Sequence, residues 1–350
     1  MKFFNLDCHV SVIADLKQLF VGLGHHVDSW SISGHNWIFN RTPDPVEIVT
    51  PSTWKNLDAT MVDNFYERYK SELDSYDGFI CTYPPSFSLL YEKFKKPIIL
   101  QIPIRYEVPF HNDKNKWNSF NEFLRNNIDN GLIVPIANSL YDKKYFEFFV
   151  ERECTLIPSI CEYTDTTWEG TSDKFLYYSR LPFDHDLLTN KNNLGKYKWS
   201  DISKFKGIVV IPYNCSTMSI FEYYTSNIPL FVPSKKLMLN LYREYPNHVL
   251  TDLTWNKVFG MRPGSIIECD KNNDPNDYKN LEIMNRWISF SDFYNEEWMP
   301  HIIYFDDFDE LIFKLKTTNL NEVSEKIKNF NVTRKNKIYK MWDETISKLI

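Results

Sequence analysis

The chain has 350 residues, more than one hydrophobic core ordinarily organises, and its 43% hydrophobic and 25% charged residues are those of an ordered globular protein. Its 40 Lys and Arg against 46 Asp and Glu leave a net charge of -6 with the basic residues scattered, so the footprint of a nucleic-acid binder is missing and nucleic acid is not an expected partner. No apolar run reaches membrane-spanning length and no secretory leader is visible, so a cytoplasmic location is expected, with the six cysteines read as reduced thiols because they lack C-x-x-C or zinc spacing.

The first half alternates short apolar runs with longer helical patterns, the signature of a parallel sheet covered by helices. Strands are predicted over residues 2–6, 27–32, 78–82, 98–102 and 132–136. Between the first two, Val10, Ile13, Leu16, Leu19 and Phe20 fall on one helical face, and Gly24 supplies a stop. A helix beginning near Ser86 leads through Lys95-Lys96-Pro97 into the fourth strand. Asn138-Ser139 looks like the N-cap of an aromatic-rich helix over residues 140–150. Residues 156–160 read as the exit into a linker, and the polar stretch 162–174 as a domain boundary.

The second half restarts the alternation, with strands over residues 175–179, 208–211, 230–232 and 302–305 and helices near 216–225, 237–244 and 309–316. Residues 271–279, rich in Asn and Asp, form a turn, and from Asn321 a pair of helical patterns closes the chain. Residues 1–160 and 161–325 are therefore expected to be two α/β domains, with 326–350 packing back towards the first.

The sharpest chemical signal runs from Ile211 to Pro233: a strand end, a polar loop with Asn214, Ser216 and Thr217, a helix carrying Ser219 and Glu222, then Pro229 and another strand. Small hydroxyl residues at a helix start leave backbone N–H groups and the positive end of the dipole free for a phosphate. A carboxylate further along, Glu222, suits both hydroxyls of a ribose. The alternative for these residues is an ordinary helix start with Glu222 pairing on an exposed face.

This stretch resembles the donor-nucleotide motif of GT-B glycosyltransferases, in which a helix bearing Glu precedes a Pro turn and another strand. The resemblance implies two facing Rossmann-like, doubly wound domains and a closing helix that crosses back to the first. It implies ribose binding by Glu222 and diphosphate contact by Ser219, while Asn214 stands where the retaining branch carries Glu. Residues 175–181 look like the first strand of such a donor domain, which aims Arg180 at the diphosphate; the family's companion Lys a few residues later is missing. Arg180 pairing with Asp184 or Asp186 is the alternative.

In the first domain His9 follows the opening strand, where inverting members keep a catalytic base, and imidazole has the right intrinsic pKa for that task. A His that merely orders the loop is the alternative. Glu107 is the reserve base. Arg105, His35, Thr82 and Tyr83 are candidates for acceptor binding, with an internal Arg105–Glu107 ion pair equally open. Asp307-Phe308-Asp309 superficially matches a metal-binding D-x-D but opens a helix, where carboxylates cap, so no metal and no cofactor are expected. The expected activity is transfer of a hexose or pentose from a nucleoside diphosphate sugar, the co-substrate, to a glycan or other hydroxyl acceptor. A nucleotide-sugar epimerase on the same plan and a non-catalytic carbohydrate-binding protein are the rivals.

Overall fold

The structure is a computed structural model that describes residues 1–255 and 266–349. The chain divides into two compact units, Met1–Ser159 together with the residues from Tyr339 on, and Ile160–Ile338. Unit 1 holds six parallel strands, β1 (Lys2–Asp7), β2 (His26–Ser31), β3 (Gly78–Cys81), β4 (Ile98–Ile102), β5 (Ile133–Ala137) and β6 (Thr155–Leu156), in the order β2-β1-β3-β4-β5-β6. Unit 2 holds five, β7 (Phe175–Tyr178), β8 (Leu188–Asn190), β9 (Ile208–Val210), β10 (Leu230–Pro233) and β11 (Ile303–Phe305), in the order β8-β7-β9-β10-β11. This is the α/β plan of two doubly wound parallel sheets that the strand and helix alternation predicts.

Parallel strands need crossover connections, and helices supply most of them. Unit 1 uses α1 (Val10–Gly22), α2 (Ala59–Leu73), α3 (Lys114–Asp129) and α4 (Leu140–Val150); unit 2 uses α5 (Trp199–Ile202), α6 (Met218–Thr225), α7 (Lys235–Glu244) and the helix Leu281–Ile288, while the helix Phe308–Thr317 follows the last strand. Because helices cover the sheets, central strands such as Ile98–Ile102 are buried along their whole length and read as apolar runs. On α1 the expected residues Val10, Ile13, Leu16, Leu19 and Phe20 are all buried, and Gly24 ends the turn with a φ of +82°.

The two sheets repeat one close approach. Phe79 N–H donates to the Pro97 carbonyl at 2.8 Å and Ile208 N–H to the Pro229 carbonyl at 2.9 Å. A Cβ on the preceding glycine, Gly78 or Gly207, would lie 2.9 Å from that same carbonyl oxygen. Glycine therefore opens the strand that flanks the first one in each unit, and proline precedes its neighbour.

Several elements differ from expectation. Leu156, read as the start of a linker, pairs with Ala137 and, together with Thr155 opposite Ile136, extends the first sheet as β6. Strand β8 and the helices α2 and α3 are present where no element was predicted. The helix near Ser86 is a run of 3-10 turns, Pro85–Phe94, that stacks Tyr91 on Phe79 with ring centroids 4.4 Å apart. The closing pair of helical patterns is one helix, Leu320–Ser347, since no Gly or Pro interrupts it. Its residues through Ile338 belong to unit 2, where Asn331 donates to the Tyr224 carbonyl at 2.8 Å. From Tyr339 on they belong to unit 1, where buried Trp342 meets Phe20 edge-on at 5.4 Å.

Gly207→Ala should lower stability by about 1–3 kcal/mol, because the clash is with backbone that cannot rotate away. Gly34→Ala, at an exposed site with nothing within 4 Å, should change it by less than about 0.5 kcal/mol. Urea midpoints of both variants check this, and equal midpoints would contradict the packing argument.

Candidate active site

In an open parallel sheet, ligands bind beyond the carboxyl ends of the strands where the strand order reverses. In unit 2 that point lies between β7 and β9. The chain leaving β7 turns at once, Leu181 N–H donating to Ser179 Oγ at 2.9 Å, and this turn puts Arg180 in solvent. The Arg180 guanidinium lies 4.2 Å from the centroid of the Tyr213 ring, and among the described residues it has no carboxylate partner, so pairing with Asp184 or Asp186 is not seen.

After β9 the loop runs through Tyr213 and Asn214 into α6. Asn214 Oδ1 accepts from Thr251 Oγ1 at 2.6 Å, and Thr251 also donates to the Tyr213 carbonyl, so Asn214 fastens the loop to the chain at 251. Ser216 and Thr217 are 5% and 7% exposed, and the hydroxyl of each has no hydrogen-bond partner. Thr217 is the N-cap residue of α6 but makes no side-chain cap. Two buried hydroxyls thus lack a protein partner at a helix N-terminus, a position from which both could donate to an anion. Ser219, one turn on, hydrogen-bonds with the side chains of Tyr178 and Tyr223.

Glu222 is buried, not on an exposed helix face. Its Oε1 accepts from Tyr163 Oη at 2.6 Å. Burial raises its pKa, against which Tyr163, Lys191 and Trp199 all act. Lys191 was not foreseen. It opens the turn after β8, donates to Tyr223 Oη at 2.7 Å, and lies 3.9, 5.2 and 5.4 Å from the ring centroids of Tyr178, Tyr197 and Tyr223. Burial pushes its pKa down to about 8, while Glu222 pulls it up. Its only sequence signal was a Lys directly behind a three-residue strand, which is too weak a pattern to single out.

Unit 1 reverses its order between β1 and β3. His9, the N-cap of α1, is exposed there, and its ring meets the ring of Tyr83 edge-on at 6.1 Å. Crowding by protein and the neighbouring His35 push its pKa down to about 4, against a backbone hydrogen bond that raises it, and the imidazole is neutral at pH 7. His35 is exposed as well, its N–H held by Ser33 Oγ at 3.1 Å. Tyr83 is half-buried and tied to the His9 loop by a 2.7 Å hydrogen bond from Cys8 N–H to its carbonyl.

Three expected residues face inward instead. Thr82 is fully buried and its hydroxyl accepts from Asn5 at 3.3 Å. Arg105 and Glu107 are an internal ion pair, Arg105 Nε donating to Glu107 Oε1 at 2.8 Å and Tyr145 Oη to the same oxygen at 2.9 Å, with 1% and 0% of the pair exposed. Neither an acceptor group nor a proton from one reaches Glu107 in this arrangement. Alternation explains it for Thr82, which follows directly on β3; for the ion pair, desolvated charges close on each other when no ligand is at hand. In unit 2 Asp307 caps the helix Phe308–Thr317, accepting from Glu310 N–H at 2.7 Å.

Behind His9, Asp7 is fully buried, with Oδ1 accepting from Ser31 Oγ at 3.1 Å and Oδ2 unpartnered. Burial drives its pKa up to about 7, with Asp44 adding and Ser31, the His9 backbone and Arg41 opposing. A carboxyl protonated in the fold but ionised in the unfolded chain stabilises fully below its unfolded pKa, and this is lost as pH rises through about 7. Between pH 4 and 7 stability should therefore fall, by on the order of 4 kcal/mol from this group, and Asp7→Asn should flatten that slope. Urea unfolding across pH 4–8 decides it, parallel slopes in both proteins being the contrary result.

No family model matches the chain, and no curated protein does. Among solved structures it is similar to the glycotransferase of kitacinnamycin, with 9% identity, 100% of this chain and 98% of that one covered, and a TM-score of 0.45. It is similar also to the spinosyn rhamnosyltransferase SpnG (9% identity, 95% and 96% covered, TM-score 0.40) and to the glycosyltransferase SnogD from Streptomyces nogalater (9%, 66% and 81%, TM-score 0.36).

Proposed function

We infer that the chain is a glycosyltransferase that takes a nucleoside diphosphate sugar at the β7/β9 crevice of unit 2 and an acceptor hydroxyl at the β1/β3 crevice of unit 1. The observation that carries this reading is the pair of idle, buried hydroxyls of Ser216 and Thr217 at the start of α6, beside an exposed and unpaired Arg180. A diphosphate meets all three: the helix N-terminus and hydroxyls donate to its oxygens, and Arg180 pairs with its charge. From Arg180 a row of tyrosines, Tyr213, Tyr178 and Tyr223, leads to Lys191, a second cation beside Glu222. Lys191 stands in for the missing companion lysine, and the Glu222 region receives the ribose.

In the transfer step the acceptor oxygen attacks the anomeric carbon while its proton passes to the neutral His9 ring. The bond from that carbon to the diphosphate oxygen breaks, and the electron pair leaves on the diphosphate. Arg180, Lys191 and the α6 N-terminus stabilise that departing charge. A single displacement of this kind inverts the anomeric centre. No residue role here needs a divalent metal.

Arg180→Ala should weaken donor binding by about 1.5–3 kcal/mol, the loss of a charged hydrogen bond, without lowering the melting temperature. Donor affinity should also decline as pH rises past about 8, where Lys191 loses its proton, and Lys191→Arg should remove that decline. Calorimetry with a panel of nucleotide sugars tests both. Absence of binding by every donor would overturn the donor assignment, and donor turnover without acceptor would point to epimerase chemistry.

His9→Ala should slow transfer by about 10² to 10⁴ while leaving donor affinity unchanged. Transfer should persist in EDTA. NMR of the product's anomeric configuration gives an independent check, because retention would rule out the single displacement whatever His9 proved to do.

A further inference from the structure

We propose that Trp54 is the acceptor platform of this site, and that the acceptor it selects is a carbohydrate ring and not a flat aromatic aglycone; this rests on the reading of the β1/β3 crevice as the acceptor side. Trp54 is half-buried on the short turn Trp54–Asn56, its ring 6.3 Å from the ring of Tyr83, which itself meets His9. The turn is fixed: Trp54 N–H donates to the Thr50 carbonyl at 3.1 Å, and Thr53 Oγ1 donates to the Ile48 carbonyl at 2.7 Å. Phe87, fully buried, backs the indole edge-on at 6.5 Å. The platform is therefore anchored to the same loop system as His9.

Ring geometry decides between ligand classes. A flat aglycone is gripped best between parallel rings, but Trp54 and Tyr83 are inclined by 63° and Tyr83 and His9 by 81°. Those angles make an open corner with no parallel walls. A pyranose needs one aromatic face for its C–H groups and polar partners around its rim, and the corner supplies both. The Trp54 indole N–H makes no hydrogen bond among the described residues, Lys55 holds its ammonium 5.6 Å from the indole, and His9 and His35 present exposed polar edges. An amphipathic ring with a free donor matches a ligand that is apolar on its face and hydroxylated at its edge.

The test is ligand-observed saturation-transfer NMR on the full chain without donor, using methyl glucoside, methyl galactoside and methyl rhamnoside as carbohydrate probes and 4-nitrophenol as the flat probe. At least one pyranoside should receive saturation. Trp54→Ala should weaken its binding by about tenfold or more, with Trp54→Phe intermediate because it keeps a ring but loses the N–H. Both variants should keep the wild-type melting temperature and its shift with nucleotide sugars. The proposal fails if no pyranoside binds, if Trp54→Ala binds as wild type does, or if 4-nitrophenol binds more tightly and depends equally on Trp54. Nucleotide-sugar binding is scored separately: its absence alongside Trp54-dependent pyranoside binding would overturn the transferase reading and leave the carbohydrate platform standing.

Discussion

Where the strand order of a parallel sheet reverses, the connections on either side lead away in opposite directions, and the carboxyl ends of two adjacent strands are left uncovered. Both units obey this constraint at equivalent strands, β1 with β3 and β7 with β9. The strand on the far side of the reversal is entered through a glycine in each unit, Gly78 or Gly207, because its neighbour's proline carbonyl comes too close for a side chain. What differs is the loop leaving each uncovered end. Unit 2 places hydroxyls, an arginine and a helix N-terminus there, and unit 1 places a histidine and aromatic rings.

Burial sets which polar residues are chemically available. Arg105 and Tyr145 both donate to Glu107 Oε1 in the interior, and removing one partner would strand a desolvated charge. They shape the chain leaving β4 and have nothing to offer a ligand. Ser216 and Thr217 are almost as buried, yet their hydroxyls find no protein partner. Their place sets them apart, because hydroxyls at a helix start lie where backbone N–H groups also point outward and an anion can accept from both.

The strands were legible because a sheet covered by helices demands unbroken apolar runs, as at residues 98–102. Polar amphipathic helices were harder. In α3, Trp117, Phe120 and Leu124 carry the buried face among Asn, Lys and Glu, and tertiary contact outweighs that weak periodicity. Edge strands such as β6 and β8 are two or three residues long, below any periodic signal. Of the candidate residues, those tied to a local pattern were visible in the sequence: His9 behind a strand, Arg180 behind another, Glu222 on its helix. Lys191 and Trp54 were not, because each reaches its place through a loop whose path only tertiary contacts define. For Glu107 the sequence left two fates open, and burial of both partners selected the ion pair.

Protonation ties the two crevices to one working range. A His9 that acts as the proposed base must be neutral, and its depressed pKa, about 4, keeps it so across neutrality. Lys191 must be charged to hold an anion. Burial lowers its pKa only to about 8, since the Glu222 charge offsets part of the lost hydration. A diphosphate placed beside it would raise that pKa again, so a donor bound as proposed would secure the charge that holds it. Between roughly pH 5 and 7.5 both groups hold the state that the proposed transfer would require, and neither condition needs a residue outside its own unit.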